Sequence, residues 1–424
     1  MAQLSRCTGA VVTGLLLLAG ACGGVTAQNA IGDAGGIPDG SATDVGPTQD
    51  SAADVERSEA STQDVAAPEA GQFQEAKHNL PDVTDNGGPV LAHPMLVTIT
   101  YSDDANATFE QALGEFMVQS AWLQTVGKEY GVGAGTHVSI SLPDTAPTSI
   151  DDTTIQSNIL ALIQAGTAPD PAADGGISSA TYMAFFPSST AITAGGSTLC
   201  QISGGGYHGE TTATVNGHTI SYSVVSECQP GLPVQPPQDI TWAASHEFIE
   251  SATDPYPNSS PGYAIFDTNQ PWALIGGEVG DLCTYVLPQW TEGSYTALQR
   301  VYSNASAKAG GSPCIPAPAT YYGADVEPQT FVEVAAGATT TFTMTGWSTA
   351  PVAAWSLTAE ALPIMGSAQP TVSLGTFTLQ NGQTAKLTVG WPAGTPPQSY
   401  ADILVMSSES GTDYTAAMVG IYTP

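Results

Sequence analysis

The sequence predicts an α+β domain over residues 91–318 followed by an all-β sandwich over residues 319–424. Two observations predict it. In the first stretch, apolar strand-like runs and amphipathic helices mix without strict alternation; in the second, short β-rich runs recur between turn residues with no helical period. A third observation sets the start: before residue 91 the chain lacks the aromatic and branched apolar residues that a core requires.

Met95 to Tyr101 reads as a buried strand. Asp104 and Asn106 can cap the helix after it, whose apolar positions Phe109, Leu113, Phe116, Leu123 and Val126 run to a stop near Gly131. A second helix is expected over residues 152–165, with Ile155, Ile159, Leu162 and Ile163 on one side and Gly166 at its end. Tyr182 to Phe186 is a further buried strand. Thr211–Val215 and His218–Val225 flank Asn216-Gly217, which supplies the positive φ angles of a type I′ turn, so they read as a hairpin. Beyond Ala319, strands are expected at Phe331–Val334, Thr339–Met344, Thr371–Leu379, Ala385–Val389, Ala401–Met406 and Ala416–Tyr422. Their spacing indicates an immunoglobulin-like sandwich with a structural or adhesive role.

The N-terminus reads as a targeting segment over residues 1–22. Arg6 is followed by an apolar run from Val11 to Leu18 and by Ala19-Gly20-Ala21-Cys22, a small-residue cleavage site. Small residues before Cys22 match a bacterial lipobox, in which that thiol is lipidated, although Ala19 stands where Leu is usual. The other reading is ordinary cleavage at the Ala-x-Ala site or after Ala27. Residues 23–90 read as a disordered acidic tether: residues 31–90 hold twelve acids against Arg57 and Lys77. A tether directly after a lipidated Cys suits a domain displayed at the cell surface or outer membrane; without the lipid the chain would be secreted. No later run is long and apolar enough to span a bilayer. Contact with a membrane is therefore expected only through the lipid. The net charge of −32, with seven Lys plus Arg, excludes nucleic acid as a partner.

Cys200, Cys228, Cys283 and Cys314 form an even set in an exported chain and read as two disulfides. Three pairings exist, and the local one, Cys200–Cys228 with Cys283–Cys314, is preferred. No Cys-x-x-Cys spacing supports a thiolate zinc site.

The chemistry concentrates in residues 239–255. Asp239 can cap a helix there, and Pro255 lies past its end. On that helix His246 and Glu250 are four apart and project from one face, so they could share a metal ion. Glu247 lies about 100° around from His246, where a zincin carries its general base. The zincin signature is His-Glu-x-x-His, and here Glu250 replaces the second His. Downstream, Glu278 and Asp281 are three apart. Glu278 is the favoured third ligand, and Asp281 the group that orients His246 through its free ring nitrogen. A plain solvated helix face would explain His-Glu-x-x-Glu by itself; the second acidic motif, bracketed by glycines and Cys283, is harder to explain that way. His208 in Gly-Gly-Gly-Tyr-His-Gly is a further ligand, a transition-state hydrogen-bond donor, or simply a loop residue.

Tyr207-His208-Gly209, Cys228-Gln-Pro-Gly231, Ser245-His246-Glu247-x-x-Glu250 with Thr253-Asp254-Pro255, and Glu278-x-x-Asp281-Leu282-Cys283 occur in this order. With these motifs residues 91–318 resemble the plant Exordium or phosphate-induced proteins and their bacterial relatives. The resemblance implies an extracellular location and a zincin-like helix, and supplies no settled reaction. The family usually has Cys where this chain has Gly205, a departure that bears on its disulfide pattern.

The expected activity is that of a zinc-dependent, peptidase-like hydrolase acting on extracellular peptide or polysaccharide, with Glu247 and His208 as catalytic groups. Calcium or manganese stands behind zinc as the ion, because the donor set is rich in oxygen. The alternative is a non-catalytic cell-envelope binding protein on a zincin-like scaffold.

Overall fold

The computed structural model describes residues 78–424 apart from 172–178, 195–196, 200–204, 229–236, 366–367, 376–377 and 410–412. The targeting segment, Cys22 and tether residues 23–77 therefore lie outside the described residues, as does Cys200. All described residues belong to one compact unit, and among them no helix is long and apolar enough to cross a membrane.

The N-terminal part is mixed α/β. Strands β1 (Met95–Thr100), β2 (Thr136–Ser141), β3 (Ala180–Phe186), β4 (Gly206–Glu210) and β5 (Ser221–Ser226) form one sheet in the order β2-β1-β3-β5-β4. The first three and β5 run parallel, and only β4 is antiparallel. This corrects the α+β expectation. Parallel neighbours need a crossover between them: helices α1 (Ala107–Met117) and α2 (Ala121–Val126) lie between β1 and β2, α3 (Asp152–Gln164) lies between β2 and β3, and the connection from β3 to β5 runs through β4. Strand β2 escaped notice because Thr-His-Val-Ser-Ile-Ser is largely polar and half-exposed at the sheet edge.

The side-chain period of two splits the sheet cleanly. Val97, Ile99, Tyr182, Ala184, Phe186 and Val224 pack with Ile155, Ile159 and Ile163 of α3 on one face. Leu96, Met183, Phe185 and Val225 pack on the other with α1, α2 and α4 (Gln238–Thr253). The single helix expected over 107–130 is two: Ser120 accepts from Leu123 N–H and caps α2, which breaks the run after Met117. The expected hairpin is present, but its first arm is β4, five residues earlier than its apolar pattern suggests. Val215 and His218 bridge its tip around Asn216 and Gly217, at φ 51° and 83°. His208 is thus a strand residue facing α4, not part of a loop.

The C-terminal part is two facing sheets. The strands are β6 (Tyr322–Glu327), β7 (Val332–Glu333), β8 (Thr339–Ser348), β9 (Trp355–Met365), β10 (Thr371–Leu374), β11 (Thr378–Leu379), β12 (Thr384–Gly390), β13 (Tyr400–Glu409) and β14 (Asp413–Tyr422). They assemble as β6-β8-β12-β10 and β7-β14-β13-β9-β11 over one core that includes Phe342, Trp355, Leu387, Ile403 and Val419. The run expected over 371–379 is divided between the two sheets, and β6 and β9 were not foreseen. Leu404 and Met418 point the other way and pack with Trp272, Leu282 and Trp347 in the core of the N-terminal part.

Residues 78–90, assigned to the tether by composition, are ordered. Asn86 Nδ2 donates to Gly262 O and Ala264 O at 2.9 and 3.0 Å. Tyr302 O–H donates to Pro81 O at 2.5 Å, and His78 stacks on Trp347 with centroids 3.9 Å apart. Val83 and Leu91 are buried. A few apolar anchors and hydrogen bonds to distant residues hold a segment that average polarity would call disordered. Leu91→Ala is expected to lower stability by about 2–5 kcal/mol, read as a shift in the urea midpoint.

Candidate functional site

Helix α4 is buried along almost its whole length, its polar residues included. Asp239 is in the first turn rather than at the N-cap expected of it, and there its charge suits the helix dipole. His246, Glu250 and Asp254 follow at i, i+4 and i+8, so one stripe of the helix carries three ionisable groups. Glu247 turns toward β4.

The sequence candidates His208, His246, Glu247, Glu250, Glu278 and Asp281 all converge there, each at most 5% exposed. His246 Nε2 is 3.1 Å from Glu250 Oε2 and 3.8 Å from Asp281 Oδ1. His208 Nδ1 lies 3.7 Å from Glu247 Oε2 and 3.6 Å from Glu250 Oε2, and its Nε2 lies 3.4 Å from Glu278 Oε1. None of these His208 contacts is a hydrogen bond: both of its ring nitrogens, both Glu247 oxygens, Glu250 Oε1 and Glu278 Oε2 are buried without a hydrogen-bond partner. Two donor triads result, His246–Glu250–Asp281 and His208–Glu247–Glu250, each with its atoms within 4.8 Å of one another.

Two expectations need correction. Glu278 and Asp281 do not share a helix face, because only Asp281–Cys283 forms a short 3-10 turn, while Ala264 and Glu278 form an isolated bridge. The two carboxylates therefore diverge. Asp281 approaches the Nε2 side of His246, which it shares with Glu250, and Glu278 reaches His208 instead. Asp281 also does not orient His246. That is done by Gln299, whose Oε1 accepts from His246 Nδ1 at 2.7 Å while its Nε2 donates to Gly280 O at 2.6 Å. This relay holds Nδ1–H against Gln299 and turns Nε2 toward the carboxylates. Nothing in the sequence around Gln299 signals the role. Asp254 was also missed as a site residue, although its i+8 spacing from His246 was visible; its Oδ1 accepts from Gly262 N–H at 2.8 Å.

Glycines let the groups come this close. A Cβ at Gly280 would lie 2.6 Å from Glu250 Oε1 and 2.8 Å from His246 Nδ1, and one at Gly206 would lie 2.5 Å from Glu247 Oε1. The Cys283–Cys314 disulfide ties the segment that carries Asp281 to the short strand Cys314–Ile315. Cys228 is disulfide-bonded, and Cys200 lies outside the described residues. Arg300 takes no part: its Nε donates to Pro288 O and its guanidinium lies 5.8 Å from the Trp290 ring centre.

Burial alone would pull the imidazole of His246 down, but Glu250 and then Glu247 outweigh it and push its pKa up to about 10. For His208, burial likewise opposes the charge of Glu278, which wins and raises it well above its usual value. Burial raises Glu247, Glu278 and Asp281. Glu250 is the exception: burial would raise it, yet His246 and His208 hold it at about 2.

No protein-family model matches the chain, and no curated protein matches it. Among solved structures, the secreted serine protease VesC from Vibrio cholerae aligns at 17% identity and TM-score 0.19, over 24% of this chain and 23% of that one. The Vibrio cholerae VesB protease aligns at 18% identity and TM-score 0.18, over 24% and 32%. WR4, a C. elegans MSP family member, aligns at 13% identity and TM-score 0.18, over 24% of this chain and 97% of its own. The chain thus spans a third or less of the proteases' length, and alignments this weak carry no argument.

Gly280→Ala and Gly206→Ala are each expected to cost about 1–3 kcal/mol, because the added methyl displaces His246, Glu250 or Glu247 from a packed pocket; chemical denaturation reads this. A pH dependence also follows for chelator-treated protein. A raised folded pKa means that the folded chain holds protons more tightly, so stability falls as pH rises through that value. For His246 the window runs from 6.5 to about 10, and the raised acids act in the same direction from lower pH. Glu250 acts oppositely, losing its contribution only as pH drops from 4.5 toward about 2. The melting temperature of wild type should therefore fall between pH 6.5 and 10, and fall less in His246→Gln.

Proposed function

We propose that the chain is an exported, lipid-anchored surface protein whose N-terminal part is a metal-dependent hydrolase of peptidase type, with a zincin-like helix in α4. The observation that carries this reading is the His246–Gln299 relay. It turns Nε2 of His246 toward Glu250 and Asp281, where a metal ion would replace the proton of that nitrogen, beside Glu247 oxygens and Glu250 Oε1 that are buried without a hydrogen-bond partner. Buried carboxylates at such spacing are costly without a positive partner. The ligands are His246 Nε2, Glu250 and Asp281, and Gln299 is the outer partner that orients the imidazole.

Zinc fits one nitrogen and two oxygens in a closed pocket, and when bound it would supply Lewis-acid polarisation and a water of lowered pKa. Two carboxylates cancel the ion's double charge, so the water is acidified less than in a site with two His and one Glu. Calcium or manganese is the second choice. Glu247, raised by burial, suits a base that takes a proton near neutral pH. His208, kept protonated by Glu278, can donate a hydrogen bond to developing negative charge. A peptide is the preferred substrate over a polysaccharide, because His246 and Glu247 on α4 stand as the ligand and general base of a zincin peptidase helix do. The immunoglobulin-like sandwich acts as an accessory module. The resemblance to the Exordium proteins supports the extracellular placement.

A second reading is favoured by one observation, the closure of the site, in which no candidate residue exceeds 5% exposure. In that reading the chain binds the ion and an envelope ligand without turnover.

The test is zinc content by mass spectrometry of the full oxidised chain, followed by peptide hydrolysis. Wild type should hold one zinc, His246→Ala should lose it, and Glu247→Gln should keep it while turnover falls about 10²–10⁴-fold. Retained zinc without turnover in wild type would select the binding reading. No zinc in wild type after reloading would overturn both.

A further inference from the structure

A second group of acids lies at the C-terminal ends of the parallel strands, away from the His246 pocket. Asp104 follows β1, Glu110 is in the first turn of α1, and Glu227 directly follows β5. Their carboxylate oxygens lie within 4.8 Å of one another. Asp104 is 8% exposed and Glu110 is 1% exposed. Part of the set is already fixed in place. Asp104 Oδ1 accepts from Asn106 N–H at 2.7 Å. Asn106 Nδ2 donates to Glu227 Oε1, and Ser188 N–H donates to Glu227 Oε2 at 3.3 Å. Of the other three oxygens, Asp104 Oδ2 and Glu110 Oε2 are buried without any hydrogen-bond partner. Among the described ion pairs, none involves these acids.

We propose that Asp104, Glu110 and Glu227 bind a calcium ion, separate from the centre on α4. The donor set is all oxygen and holds no imidazole or thiolate, which selects a hard cation. Asp104 and Glu110 come from the β1–α1 connection and the first turn of α1, and Glu227 from the end of β5, so two distant parts of the chain supply the donors. Calcium accepts irregular sets with oxygens at about 2.4 Å and completes its shell with water, whereas magnesium demands near-ideal geometry at about 2.0 Å. Burial first, and then the charges of Asp104 and Glu227, push Glu110 up to about 9. That is the signature of a pocket needing positive charge, met by a bound cation or by a proton shared between Glu110 and Asp104. The ion would fasten the β1–α1 connection to the end of β5, the strand that leads into α4.

The deciding experiment is calorimetric titration of CaCl₂ into the full, chelator-treated chain at pH 7.5, with melting curves alongside. Wild type should bind calcium and melt higher with it. Glu110→Gln and Glu227→Gln should each weaken the binding at least about tenfold, since calcium affinity follows the charge count of its ligands. His246→Ala should leave this binding unchanged, which separates the site from the one on α4. Glu227 is only half-buried, so its variant still decides the matter if Glu110→Gln fails to fold. Unchanged affinity in Glu227→Gln, or no calcium response in wild type, would assign the cluster to a proton-sharing carboxyl pair and overturn the proposal.

Discussion

Everything around α4 depends on how buried negative charge is neutralised. Glu247, Glu250, Asp254, Glu278 and Asp281 share a region from which solvent is excluded, and among the described residues only His208 and His246 stand there as basic partners. Carboxylates in such surroundings must pair, take up protons or bind a cation. The pattern of shifts shows the strain of that choice. Glu250, between two imidazoles, stays ionised, while its neighbours are pushed toward the neutral form. A divalent ion would relieve the set at once, and Gln299 holds Nδ1 of His246 so that Nε2 is the atom that exchanges its proton for one.

The surrounding architecture serves that requirement. A parallel sheet with helices on both faces buries α4 deeply enough to exclude water, and β4 at the edge of the sheet brings His208 in from the side opposite the helix axis. Gly206 and Gly280 remove the side chains that would separate the charges. The Cys283–Cys314 bond and the ordered segment 78–91 close the far side, where Leu91 N–H donates to Ala252 O of α4 at 2.8 Å. Packing of Leu404 and Met418 against Trp272 and Leu282 extends the same core into the sandwich.

Much of this was legible in the sequence, for reasons that differ by element. Strands β1 and β3 and helix α3 declare themselves through period and composition, because one or both faces are buried. The candidate site residues were legible as types and spacings: His246, Glu247 and Glu250 lie on one helix, and their spacing alone decides their faces. What could not be read was long-range geometry. Whether Glu278 or Asp281 meets His246 depends on a 3-10 turn only three residues long, and Gln299 acts from a position with no local pattern. Strand β2 and segment 78–90 failed for a shared reason: polar sequence is ordered there by hydrogen bonds to distant residues, which composition does not record.

The composition explains why such pockets recur in this chain. It has 39 acids and only seven Lys plus Arg, and its described cations are placed elsewhere: Arg300 rests against Trp290 and Pro288, and Lys308 pairs with Asp82 at the surface. A fold that buries carboxylates away from its few cations has two further sources of compensation, protons and metal ions from outside. On α4 the two compete for one atom: Nε2 of His246 holds a proton against Glu250 in the ion-free pocket, and a metal ion must displace it. Gln299 holds Nδ1 in either case, so only Nε2 exchanges a proton for an ion. The Asp104 cluster has no such device, and there only the unmatched oxygens argue for an ion.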